Sequence, residues 1–331
     1  MPEHKEVELP AVYEKGVDTK RAEVLSAVLK EHDLFTAQRD KRIELLRRME
    51  GYSGGNSKRV GYLAYLCSEN VVGGSIDCSD IPAIGDALLS VGEVDQLNLI
   101  INGPGGDGTV AEKIIELCRA HCREFRVFVP NRAKSAATIV ALGADEIVMG
   151  YCSELGPIDA QVPIVVGGIP RYISAQSFID SKKALQSEFN RAVKAKEDPR
   201  AILQQIASLD VPFIDHCGKL MEFSKEVARK YLTLHMFSSI TPASKKKSMV
   251  EDVLKGLSSV GIFKVHGRMI NATAAKRDLK LNVKLLGKDD DMWRDLWQYY
   301  VRADVLLSRN PDTAKLIETK DEILIMGRAS K

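Results

Sequence analysis

Asn102-Gly103-Pro104-Gly105-Gly106-Asp107-Gly108 and Asn131-Arg132-Ala133-Lys134-Ser135-Ala136-Ala137-Thr138 are the two stretches whose reading decides the fold. Each follows an apolar run of strand length, Leu97 to Ile101 before the first and Phe125 to Val129 before the second. Each leads into a helical pattern. Thr109 to Cys122 brings Val110, Ile114, Leu117, Cys118 and His121 near one face, and Ser135 to Leu142 carries no charge until Asp145. Outward from these, Val60 to Leu66 and Glu146 to Met149 read as further strands, with a helix at Ser79 to Leu89. Strands alternating with helices predict parallel βαβ units and an α/β fold.

In an open α/β sheet, ligands bind beyond the carboxyl ends of the strands, where both turns fall. The adjacent glycines Gly105 and Gly106 allow a sharp turn that brings backbone N–H groups close to a substrate atom. Such donors can hold a developing oxyanion. The turn lacks the Gly-Lys-Ser/Thr ending of a P-loop and the spacing of a dinucleotide site. Its structural alternative is a tight strand-to-helix connection. Ser135 begins a helix apolar enough to be buried, so its hydroxyl could attack a carbonyl while the Ala136 amide supplies a second donor. The small residues Ala133, Ala136 and Ala137 leave room for a substrate backbone. Serine is also a favoured N-cap, which is the structural alternative there.

The remainder reads as helices around this core. Asp18 to about Glu50 is helical and highly charged, and Gly51 to Ser57 is a loop. Beyond Gly150, Val162 to Gly168 suggests a strand and turn, and Ala175 to Lys196 a helix ended near Pro199. Ile202 to Leu234 is largely helical, Thr241 to Lys247 a basic loop, and Asn271 to Leu279 a helix. Asp291 to Leu307 carries the stripe Met292, Leu296, Trp297, Tyr300 and Val301, suited to covering a core or a neighbouring subunit. The expected organisation is an N-terminal helical segment and loop at 1–57, a catalytic domain at 58–285 and a helical extension at 286–331. Lys and Arg number 47 against 45 Asp and Glu, which leaves no electrostatic footprint for nucleic acid. The start of the chain is polar and mixed in charge, and no uncharged apolar run reaches the ~18 residues of a membrane span. Six cysteines without a tight framework read as reduced thiols, and the expected location is cytoplasmic. Cys118, His121 and Cys122 lack a second ligand pair, so helix packing is expected there rather than a metal site.

Over roughly residues 60–165 the chain resembles the serine dehydrogenase proteinase family, relatives of signal peptide peptidase A within the Clp protease/crotonase superfamily. The residues that carry the likeness are Asn102-Gly-Pro-Gly-Gly, Lys134-Ser-Ala-Ala-Thr, Ala141-Leu-Gly-Ala-Asp-Glu-Ile-Val-Met and Ser153-Glu-Leu-Gly-Pro-Ile-Asp-Ala-Gln. His266-Gly-Arg-Met-Ile, with Ala274-Ala-Lys and Leu281-Asn-Val, matches more loosely. The resemblance implies a spiral of β-β-α units, Ser135 as nucleophile, oxyanion donors at the Gly105-Gly106 turn and Ala136, and a homo-oligomer. That assembly is expected through the N-terminal helix or the Trp293/Trp297 helix.

A serine hydroxyl needs a base to take its proton, and the family's standard bases are missing. Where Clp-type proteases carry a histidine, this chain reads Gly156-Pro157-Ile158-Asp159-Ala160-Gln161. Where signal peptide peptidase A relatives carry a lysine, it reads Ala175-Gln176-Ser177. The candidates are Asp159, His266, Lys182 and Lys183. The leading expectation is a serine peptidase-like hydrolase acting on peptide or protein substrates through an acyl-enzyme. The alternatives are a crotonase-like enzyme binding acyl-thioesters, with the same amides on an enolate oxygen, and a non-catalytic peptide-binding or assembly protein. No cofactor is expected, because neither a nicotinamide nor a pyridoxal site is visible, which discounts the dehydrogenase in the family's name.

Overall fold

The run Leu97-Asn98-Leu99-Ile100-Ile101 is buried on both faces, as a central parallel strand must be. A computed structural model describes residues 36–54, 58–69, 71, 73–166, 169–258, 269–310 and 312–327. Its main sheet contains β1 (Val60–Cys67), β2 (Val94–Asn102), β3 (Cys122–Val129), β5 (Glu146–Met149), β10 (Val283–Leu285), β11 (Thr313–Glu318) and β12 (Ile323–Gly327). The order is β10-β5-β3-β2-β1-β11-β12, parallel from β10 to β1 and antiparallel beyond. The crossovers are α2 (Asp80–Val91), α3 (Gly108–Ala120) and α4 (Ala136–Leu142).

A second, thinner layer sits above the carboxyl ends of these strands. There β4 (Arg132–Ala133) pairs with β6 (Glu154–Leu155), and β6 with β9 (Ile270–Asn271). Single bridges extend the layer from Gly103 to Ala133 and from Ile76 to Gly106. Successive turns of the chain therefore run long strand, short strand or bridge, then helix. This is the expected β-β-α spiral, and each passage between layers delivers one turn to the same edge.

Alternation along the strands sends residues to two cores. Leu63, Tyr65, Leu97, Leu99, Phe125 and Val127 face α2, α3, α4, α7 (Val211–Tyr231) and α8 (Ala243–Ser258). Tyr62, Ala64, Leu66, Ile100 and Phe128 face α1 (Thr36–Gly54) and α10 (Asp291–Arg309). On that second face Leu46, Met49, Trp293 and Leu296 are buried within the chain, while Trp297 is half-buried.

Between the spiral and α7 lie a hairpin, β7 (Gln161–Val166) with β8 (Ile169–Ser174), and two helices, α5 (Ala175–Ala195) and α6 (Arg200–Ala207). The short helix α9 (Ala272–Arg277) follows β9.

Three expectations need correction. The helix expected to end near Glu50 continues through Gly51 to Gly54, held by Tyr52 Oη donating to Asp295 at 2.9 Å and the 3.1 Å contact of Ser53 with Tyr62. The expected basic loop is the start of α8, whose Val250, Val253, Leu254 and Leu257 are buried while Lys245 and Lys247 face outward. The expected helical extension ends at Arg309, and the chain then forms β11 against β1 and β12 against β11. A buried ion pair ties that end in. Arg42 donates to both Glu318 carboxylate oxygens at 2.8 and 2.9 Å, and Tyr299 to one at 2.7 Å.

Candidate active site

The two turns are stitched together by backbone. Gly103 N–H donates to Arg132 carbonyl at 3.0 Å and Lys134 N–H to Gly103 carbonyl at 3.1 Å, while the buried Asn102 carboxamide accepts from Arg132 N–H at 2.9 Å. Beyond that seam the glycines become obligatory. Gly105 has φ 100°, and a Cβ there would lie 2.5 Å from Lys134 O, 2.7 Å from Ser135 Cβ and 2.9 Å from Ala136 N. Gly106 has φ 148°, and its Cβ would meet Ile76 O at 2.2 Å. Gly105 thus packs directly on the Ser135-Ala136 turn and Gly106 on the Ile76 backbone. A side chain at either glycine would push its contact apart.

Ser135 is strained. Its φ of 49° and ψ of −117° lie outside every region comfortable for an L-residue, at a cost of order 1–3 kcal/mol. Among the described residues, the other non-glycine positions with positive φ are Lys196 and Lys280, and Lys196 is a left-handed helix C-cap with ψ 28°, an ordinary role. Ser135 holds its conformation because both flanks are fixed. Ala133 is paired in β4, and Ala136 to Leu142 are all buried. The Ser135 side chain makes no capping hydrogen bond, so the N-cap alternative does not account for it. Among the described residues, neither the Gly106 nor the Ala136 N–H donates to any acceptor. Two unspent amides therefore stand beside one serine hydroxyl on a sharp strand-to-helix turn, an arrangement able to hold an oxyanion as the hydroxyl attacks.

Two supports were missed by sequence reasoning. Thr138, fully buried, donates to Ala133 carbonyl at 2.6 Å and its hydroxyl accepts from Gly156 N–H at 3.1 Å, bracing α4 against the 156–160 segment. Lys134 Nζ lies 2.8 Å from Glu154. That contact occupies the cation next to Ser135 in the chain. A threonine in an apolar helix was the only available signal for the first; nothing local marks the second.

The candidate bases separate. Asp159 is 2% exposed and engaged with a partner. It lies between Ile158, whose N–H donates to Leu257 carbonyl, and Ala160, whose carbonyl accepts from Ala175 N–H. Lys182 and Lys183 ride on α5, roughly 10–12 Å along the helix from Ala175. Lys182 interacts with Asp215 of α7, Lys183 is exposed, and neither bonds to the Ser135 turn. His266 lies outside the described residues. Among the described residues, no side chain accepts a hydrogen bond from Ser135 Oγ.

Residues 73–185 match the family model of ClpP-like SDH-type serine proteinases. Two uncharacterised proteins of Methanocaldococcus jannaschii are 38% and 36% identical over 87 residues, which is 26% of this chain and 30% of each relative's length. Among solved structures, a membrane-bound stomatin-specific protease aligns with TM-score 0.29 and 13% identity, over 44% of this chain and 68% of that one. A monofunctional enoyl CoA isomerase from M. smegmatis aligns with TM-score 0.24 and 13% identity, over 61% and 91%. No helix among the described residues is long and apolar enough to cross a membrane. The strained serine, the glycine turn packed on it and the β-β-α layering all lie within the matched segment or its sheet, and over residues 73–185 the chain matches the ClpP-like SDH-type serine proteinase model in an α/β fold of layered β-β-α turns.

Proposed function

We propose that this protein hydrolyses peptide bonds through an acyl-enzyme on Ser135, with the Gly106 and Ala136 amides holding the tetrahedral oxyanion. The observation that carries this reading is the contact of Gly105 with Ser135 Cβ and Ala136 N beside two amides without acceptors. Each such donor is typically worth about 2.7–4 kcal/mol of barrier. The hydroxyl proton passes to a base drawn from His266 and Asp159.

The test is hydrolysis of an internally quenched peptide library by the full chain. Cleavage with a one-equivalent burst of acyl-enzyme, lost in Ser135→Ala, is expected. Cleavage that persists in Ser135→Ala contradicts the reading, as does acyl-thioester turnover in Ser135→Ala without peptide cleavage. The pH–rate profile then assigns the base. Loss of the profile's acid limb in His266→Gln assigns the base to the imidazole, and its loss in Asp159→Asn assigns it to the carboxylate.

A further inference from the structure

An oxyanion amide works only if its N–H points at the reacting oxygen, and for Gly106 that direction is set by one bond. Ile76 N–H donates to Gly105 carbonyl at 2.7 Å. The Gly105-Gly106 peptide is trans, so its C=O and N–H point in opposite directions within one plane. Holding the carbonyl toward Ile76 therefore turns the Gly106 N–H the other way. Asp107 N–H closes the frame by donating to Ile76 carbonyl at 2.9 Å. Ile76 is a latch on the peptide plane.

The latch is anchored from the far end of the chain. Asp77, its neighbour, accepts from Lys315 Nζ at 2.9 Å and donates its N–H to Asp80 at 2.8 Å. Lys315 also donates to Asp80 at 2.6 Å, and Tyr65 Oη donates to the other Asp80 oxygen at 2.5 Å. The Lys315 side chain is 2% exposed and that of Asp80 fully buried. Burial works to discharge the ammonium, yet its bonds to Asp80 and Asp77 outweigh that and raise its affinity for the proton. A buried cation held by two carboxylates is costly to disturb. Nothing in this cluster reaches the reacting atoms, and a strand could have closed the sheet with an apolar residue at this register position.

We propose that Lys315 and Asp77 are positioning residues that hold the Gly105-Gly106 peptide, through Ile76, in the orientation that presents the Gly106 N–H to the oxyanion. The proposal rests on the function proposed above and couples strand β11 to the rate of acylation.

Asp77→Ala is the test variant, because Asp77 is 45% exposed and Asp80 still neutralises Lys315. Two measurements are made on the full chain. Hydrogen exchange at the Ile76 and Asp107 amides is expected to quicken at least about tenfold, with β2 unchanged. The kcat for a cleaved peptide is expected to fall about tenfold or more at unchanged KM. Lys315→Met, if folded, moves both further in the same direction. Unchanged exchange in Asp77→Ala overturns the clamp, whatever the protein catalyses. Faster exchange with unchanged kcat overturns its role in positioning. A wild-type protein without Ser135-dependent turnover overturns the proposed function instead, and the exchange measurement still decides the clamp.

Discussion

The two ends of helix α3 make opposite use of their groups. Its C-terminal end carries the side chains usually associated with chemistry, Cys118, His121 and Cys122, with Arg119 and His235 nearby. All are occupied or buried. His121 Nδ1 lies 2.9 Å from Leu117 carbonyl, Cys122 Sγ donates to Cys118 carbonyl at 3.3 Å, and Arg119 donates to Gly143 carbonyl and Asp145. Burial pushes the Cys122 thiol up to about 11 and Cys118 higher still, and it lowers the His235 imidazole. Its N-terminal end, capped by Asp107, follows the glycine turn that meets the Ser135 turn of α4, where the Gly106 and Ala136 N–H groups have no acceptor among the described residues and the serine is strained. The contrast is between satisfied side chains at one end and unsatisfied groups held under constraint beside the other.

Five substitutions would break or sharpen that contrast. The largest effect belongs to Ser135→Ala, expected to lower kcat at least about 10³-fold with little change in melting temperature. A fall below tenfold would remove Ser135 from the chemistry. Next comes Gly105→Ala, whose methyl would drive into Lys134 O and Ser135 Cβ. A loss of about 10²–10³ in kcat is expected, and a fully active folded variant would show that the two turns need not touch. Thr138→Val removes the hydroxyl that joins Ala133 and Gly156, while the Gly156 N–H keeps the Ala133 carbonyl as an acceptor at 3.0 Å. Denaturant unfolding should register a loss of about 0.5–1.5 kcal/mol; no loss would mean α4 is braced elsewhere. At the small end, His121→Ala and Cys122→Ser should leave kcat unchanged, and a clear drop in either would place chemistry at the wrong end of α3.

Much of this contrast was legible in the sequence, because turns are local. Adjacent glycines after a strand and small residues around Ser135 announce close backbone approach within a few positions. The strain at Ser135 was not legible, since its φ and ψ are imposed by β4 and α4 together. Nor was strand β11. Lys315 and Glu318 interrupt its apolar run, and only Asp77 and Asp80, or Arg42 and Tyr299, from remote segments make their burial tolerable. The lysines of α8 read as a loop although lysine is a good helix former, because the buried stripe that fixes the helix begins only at Val250.

The central claim is that Ser135 is a nucleophile served by the Gly106 and Ala136 amides. A fluorophosphonate probe tests this most directly, since its phosphorus requires an activated serine and its oxygen the same donors. Intact-mass and peptide mapping of the labelled full chain should find one adduct, on Ser135, absent in Ser135→Ala and slowed in Gly105→Ala. Peptide-cleaving protein that takes up no label, or carries it on another residue, would contradict the account.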